Sequence, residues 1–81
     1  MKARVYVSFK STVLDPQGQT IRAALNSHGY REISDVRQGK YFEIAIDPST
    51  TREQSHQDID AIARDVLTNP VIEEYRVEFL D

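Results

Sequence analysis

Hydrophobic and polar residues alternate strictly at the start of the chain. Over residues 3–9 the apolar side chains occupy every second position, as Ala3, Val5, Val7 and Phe9. A period of two is typical of a β-strand with one buried face. The same period marks residues 40–47 and residues 71–80. The pattern therefore predicts three half-buried strands.

A first helix is predicted between the first two of these strands. Asp15-Pro16 is a helix-start signal, because Asp15 accepts hydrogen bonds from free amides and Pro16 has no amide to leave unpaired. The residues of one face of this helix then recur at helical spacing; they are Ile21, Ala24, Leu25 and His28. Gly29 provides a C-terminal stop, whereas Gly18 weakens the first turn by up to about 1 kcal/mol relative to alanine.

A second helix is predicted after the strand at residues 40–47. Thr50 and Glu53 match a capping box, in which each side chain satisfies a backbone amide of the other. The helix has an apolar stripe, formed by Ile59, Ile62, Ala63, Val66 and Leu67. Asn69-Pro70 ends it, because the residue before a proline avoids helical dihedrals.

A fourth, shorter strand is predicted over residues 32–37, joined to residues 40–47 by a turn at Gln38-Gly39. Ile33 and Val36 do not share a face of this strand, which indicates a bulge or an irregular edge. The element order is then strand, helix, strand, strand, helix, strand. This order predicts a ferredoxin-like α+β fold in a single domain, residues 1–81, with a four-stranded antiparallel sheet and both helices on one face.

The other face of the sheet is expected to meet water or a partner. Its side chains should be Arg4, Tyr6, Ser8, Tyr41, Glu43, Ala45, Arg76, Glu78 and Leu80. Tyrosine and arginine are enriched in protein interfaces, so Tyr6, Tyr41 and Arg76 are candidate partner contacts. A solvated face with incidental aromatic residues is the alternative. Tyr75 fits either the core or an interface.

Composition favours association with another chain. In 81 residues a single core rarely supplies more than a few kcal/mol, and the absence of cysteine excludes disulfide support. Ten basic residues against 13 acidic ones give a formal charge of −3, which argues against nucleic acid as a partner. No apolar run is long enough to span a bilayer, and the start of the chain lacks the features of a signal peptide, so we expect a cytoplasmic protein.

The sequence contains no pattern that indicates catalysis. There is no nucleophile motif, and the isolated glycines form no phosphate-binding loop. His56, Asp58 and Asp60 are better explained as a solvated helix face than as metal ligands. We therefore predict no catalytic residue and no metal site. An RNA-binding domain and a small-molecule regulatory module of the ACT type share the predicted topology, but the signature of RNA-recognition domains is missing.

Three segments are more specific than the fold. They are Val13-Leu14-Asp15-Pro16-Gln17-Gly18, Val36-Arg37-Gln38-Gly39-Lys40-Tyr41-Phe42 and Asn69-Pro70-Val71-Ile72-Glu73-Glu74-Tyr75. In this order and spacing they resemble the PurS family, the small subunit of phosphoribosylformylglycinamidine synthase. The resemblance extends over nearly the whole chain.

The resemblance implies a role in de novo purine biosynthesis. PurS-like subunits hold together a glutaminase subunit (PurQ-like) and a large synthetase subunit (PurL-like), assist ammonia transfer between them, and self-associate as dimers or tetramers. The assembled enzyme uses ATP and Mg, and no cofactor is expected on this chain. Asp15, Pro16, Gly18, Gly39, Asn69 and Pro70 would then be structural motif residues. Arg37 and Lys40, on either side of a turn, are candidates for contacts with a partner's acidic groups or a phosphate; a solvated hairpin tip is the alternative.

Overall fold

The computed structural model describes residues 1–80. Its strands are β1 (Lys2–Phe9), β2 (Gly39–Ala45) and β3 (Glu73–Leu80), and its α-helices are α1 (Pro16–Ser27) and α2 (Arg52–Ile62). A π-helical turn, Ala63–Leu67, continues α2. The three strands form an antiparallel sheet in the order β2-β1-β3, so the strand that begins the chain lies at its centre.

The core lies on one face of this sheet, where α2 packs. Its fully buried apolar side chains are Ala3, Val5 and Val7 from β1 with Ile59 and Ala63 from α2 and its continuation. The alternation in β1 places Ala3, Val5 and Val7 on the inward face. In the helical segment, four-residue spacing places Ile59, Ala63 and Leu67 against them. Val66 falls outside this spacing and is 73% exposed, so the predicted stripe is only partly buried.

Helix α1 does not pack on the sheet. The core contains no side chain from it, and Ile21 on its apolar stripe is 38% exposed. The helix packs instead along the segment that follows it: the side-chain amide of Asn26 donates to the carbonyls of Tyr30 at 2.9 Å and Ile33 at 3.2 Å. We call residues 16–36 the arm.

The arm extends the molecule beyond one end of the sheet. The Cα positions span 51 × 26 × 13 Å with a radius of gyration of 16.3 Å. A compact domain of this length would have a radius of about 12 Å, and an eight-residue strand is only about 27 Å long. The sheet therefore does not cover the apolar side of α1.

Two parts of the predicted fold are wrong. Within residues 1–80 the sheet has three strands and not four, because residues 32–37 form no strand. Their polar groups bond to α1 and to the loop after β1, and not to a neighbouring strand. Consequently Gln38-Gly39 is not a hairpin turn, and only α2 covers the sheet face that both helices were expected to share.

The helix boundaries follow the predicted signals with one shift. Asp15 caps α1 and Pro16 is its first residue, as predicted. Gly29 adopts a positive φ of 101° just after the helix, the conformation for which glycine is favoured. The cap of α2 is Thr51 and not Thr50: its hydroxyl accepts from the amide of Gln54 at 3.2 Å.

Candidate functional site

The face of the sheet opposite α2 contains a cluster of aromatic and cationic side chains. Register places Tyr6 directly between Tyr41 and Arg76. The ring centroids of the two tyrosines are 5.8 Å apart, and the guanidinium of Arg76 lies 4.2 Å from the centre of the Tyr6 ring. We call these three residues the tyrosine–arginine cluster. Three of the sequence-predicted partner contacts are thus adjacent on an open surface.

The next row of the same face is a network of ion pairs. Arg4 lies between Glu43 at 3.6 Å and Glu78 at 3.8 Å, and Lys2 approaches Glu43 at 3.3 Å. The bond from Lys2, with the charges of Lys2 and Arg4, holds the pKa of Glu43 below its usual value. These groups are partly exposed, so water screens each pair and its contribution to stability is small. Arg4 and Glu43 were not singled out as a pair from sequence, although strand register alone places them side by side.

A second cluster joins the arm to the sheet. Asp15 is 1% exposed; its Oδ1 accepts from the amide of Gly18 at 2.9 Å and its Oδ2 from the amide of Gln38 at 2.7 Å. The two backbone bonds, the one from Gln38 being the stronger influence, lower the pKa of the Asp15 carboxyl. A carboxylate that accepts two amides is stabilised in its charged form.

Arg37 belongs to the same cluster. Its Nη2 donates to the carbonyls of Lys10 and Val13, both at 2.9 Å. The chain leaving the sheet and the chain returning to it are therefore bonded to each other twice, once through Asp15 and once through Arg37. We call these two side chains and their backbone partners the neck.

The remaining candidates are apart from the tyrosine–arginine cluster. Lys40 is on the core side of β2, with its ammonium 5.8 Å from the centre of the Phe42 ring. Tyr75 also faces that side; its hydroxyl donates to Asp60 of α2 at 3.1 Å, and this bond raises the pKa of Tyr75. As partner contacts, Arg37, Lys40 and Tyr75 stay predictions.

The motif glycine and turn residues have local roles. At Gly39 the strands approach closely, since a Cβ there would lie 2.8 Å from the carbonyl oxygen of Val7. The carbonyl of Asn69 accepts from the amides of Ile72 and Glu73, and its side-chain Oδ1 accepts from the amide of Val71. Pro70 lies within this turn, which leads from the π-helical turn into β3.

A ring contact between α2 and β3 was not predicted from the sequence. The ring of His56 stacks on Phe79 with centroids 3.7 Å apart and an angle of 12° between the planes. The spacing of His56 and Ile59 on one side of the predicted helix was the available signal. His56 is thus a packing residue between α2 and β3.

Within the described part of the chain, no group of three or more histidine, aspartate or glutamate side chains is arranged to hold a metal ion. In residues 1–80 no helix combines the length and the apolar character needed to cross a bilayer.

Comparison with known proteins gives one consistent family. Residues 2–81 match the family described as "PurS: Phosphoribosylformylglycinamidine (FGAM) synthase". The PurS subunit of that synthase from Bacillus subtilis is 46% identical over an alignment of 81 positions that covers 95% of this chain and 89% of that protein.

Solved structures agree with this match. A crystal structure of B. subtilis PurS superposes on this chain with a TM-score of 0.86 at 41% identity. The match covers 99% of this chain and 98% of that one. A PurS-like chain in the structure of PurLQS from Thermotoga maritima has a TM-score of 0.86 at 29% identity, over 98% of this chain and 95% of that one. The chain belongs to the PurS family of phosphoribosylformylglycinamidine synthase.

Proposed function

We propose that this chain is the non-catalytic PurS subunit of a glutamine-dependent phosphoribosylformylglycinamidine synthase in purine biosynthesis. In that role it holds a PurL-like synthetase subunit and a PurQ-like glutaminase subunit together and assists ammonia transfer between them. The observation that carries the proposal is the likeness, over nearly the whole chain, to the PurS-like chain of the PurLQS structure. The cytoplasm is the compartment that fits this role in a biosynthetic enzyme.

Self-association is part of the proposal. The apolar stripe of α1 does not pack on the sheet of its own chain. Leu14, just before α1, is 68% exposed, and Tyr30, just after it, is 55% exposed. Exposed apolar surface of this kind is unfavourable in water unless another surface covers it. A second copy of the chain would provide that cover in a dimer or a dimer of dimers.

The tyrosine–arginine cluster is the proposed contact with a larger subunit. Tyr6 and Tyr41 supply rigid aromatic area, and Arg76 supplies a cation already stacked on one of these rings. Residues of these types account for much of the binding energy in protein interfaces. The chain itself is proposed to bind no cofactor, and the ATP and Mg of the reaction would be bound by the assembled enzyme.

The role in assembly is tested by product formation. Purified synthetase and glutaminase from the same organism are assayed with and without this chain, using either glutamine or free ammonia. We expect the chain to raise the glutamine-dependent rate while the ammonia-dependent rate barely changes. If neither rate responds across a stoichiometric titration, the chain does not couple these two subunits.

Replacing Arg76 with alanine tests the proposed contact. Because the guanidinium both stacks on Tyr6 and offers a positive charge to a partner, we expect Arg76→Ala to weaken binding to the synthetase by about tenfold or more. Thermal unfolding of the free chain should be nearly unchanged, since Arg76 is exposed. The matched control is Arg31→Ala, an exposed arginine outside the sheet. Equal affinities for the two variants would place the contact elsewhere.

A further inference from the structure

The arm is bonded within itself. Besides the two bonds from Asn26, the amide of Tyr30 donates to the carbonyl of Leu25 at 3.0 Å. At the other end of the helix, Gly18 and Val36 approach so closely that a Cβ on Gly18 would overlap the carbonyl oxygen of Val36. Contacts at both ends of α1 therefore join it to the segment that runs back along it, so the arm is a single bonded unit.

The connection of the arm to the sheet is short and polar. The arm leaves after the loop that follows β1 and returns at Gly39, the first residue of β2. Between these points the neck provides the side-chain bonds: Gln38 to Asp15, and Arg37 to the carbonyls of Lys10 and Val13. Since α1 adds nothing to the hydrophobic core, packing on the sheet does not set its direction.

We infer that the neck is a clasp that fixes the direction of the arm relative to the sheet, without being part of the packing that holds the sheet together. With the clasp closed, the apolar stripe of α1 is presented in one orientation before any partner arrives. Holding a binding surface in its bound orientation lowers the entropy lost on association. Only this consequence for association rests on the proposed function, because the clasp is a property of the chain alone.

The clasp is tested by distances between spin labels in the full chain. The absence of cysteine allows two labels to be placed without background. One pair, Gln19→Cys with Ala45→Cys, spans the neck; a second pair, Ala45→Cys with Glu74→Cys, lies within the sheet. All of these positions are exposed. Labelled chains are diluted with unlabelled ones, so that pulsed electron resonance reports distances within one chain.

Arg37→Gln is the opening variant, and Arg31→Gln, on the arm but outside the neck, is the matched control. We expect the distance distribution across the neck to broaden by about a factor of two or more in Arg37→Gln, while that within the sheet keeps its width. Arg31→Gln should change neither. An unchanged width across the neck would overturn the clasp, and broadening of both pairs would overturn its independence from the sheet. Neither readout depends on the synthase, so failure of the clasp leaves the role in assembly standing.

Discussion

Asp15→Ala is expected to lower the melting temperature by about 10 °C, measured at equal chain concentration. The variant leaves the amides of Gly18 and Gln38 without their acceptor, and it removes the cap of α1. An amide left unpaired in a protein interior costs about 1–3 kcal/mol. Asp35→Ala, which removes the same charge from an exposed position, is the control and should have little effect.

The same carboxyl predicts a loss of stability in acid. Its pKa is lower in the folded chain than in the unfolded chain, so its contribution is complete above the unfolded value of about 3.9 and is lost as the pH falls through the folded value. Glu43, Asp47 and Asp65 also have lowered pKa values and add to this loss. Unfolding measured between about pH 2 and pH 6 should therefore show a smaller acid loss in Asp15→Asn than in the unchanged chain. Identical pH profiles would mean that Asp15 is not charged in the neck.

Gly18→Ala is expected to destabilise the chain by about 2–3 kcal/mol. In an ordinary helix this replacement is favourable by up to about 1 kcal/mol, because alanine is the better helix former. Here the added Cβ would meet the carbonyl of Val36 and lie 2.9 Å from Asp15 Oδ2. A backbone carbonyl cannot turn aside as a flexible side chain can, so the arm has to open or shift.

The control is Gln19→Ala in the same turn, where the side chain is exposed and the replacement should be neutral or slightly favourable. Denaturant unfolding of both variants, with the slope checked for constancy, measures the two effects. A Gly18→Ala variant as stable as the unchanged chain would show that residues 30–36 do not lie against α1.

Local signals in the sequence predicted much of the structure. The alternation of β1 placed Ala3, Val5 and Val7 in the core, and it put Tyr6 on the same open face as Tyr41 and Arg76. Asp15-Pro16 correctly located the start of α1. These signals succeed because a strand of period two and a capped helix are decided by neighbouring residues.

The errors arose where contacts between residues far apart in the sequence determine the structure. An apolar stripe shows that α1 needs a cover but does not say which surface covers it, so α1 was placed on the sheet. The bond between Asp15 and Gln38 joins residues 23 positions apart, and no local pattern indicates it. The hydrogen bonds of Asp15 and Arg37 use polar groups of the neck, at the end of residues 32–37, the segment that was predicted to pair as a fourth strand. The π-helical turn, in which the exposed Val66 lies, likewise has no signal in residue type.

The small size of the core has a consequence for genetics. Among residues 1–80, only five apolar side chains are buried, and two of them belong to alanines. Most positions therefore tolerate substitution without loss of folding, because surface changes usually alter stability by less than about 0.5 kcal/mol. In a random mutant library, defective alleles outside the core and the neck should yield abundant, folded protein. Many of them should be rescued by compensating changes in the genes for the partner subunits, and not by raising the expression of the chain itself.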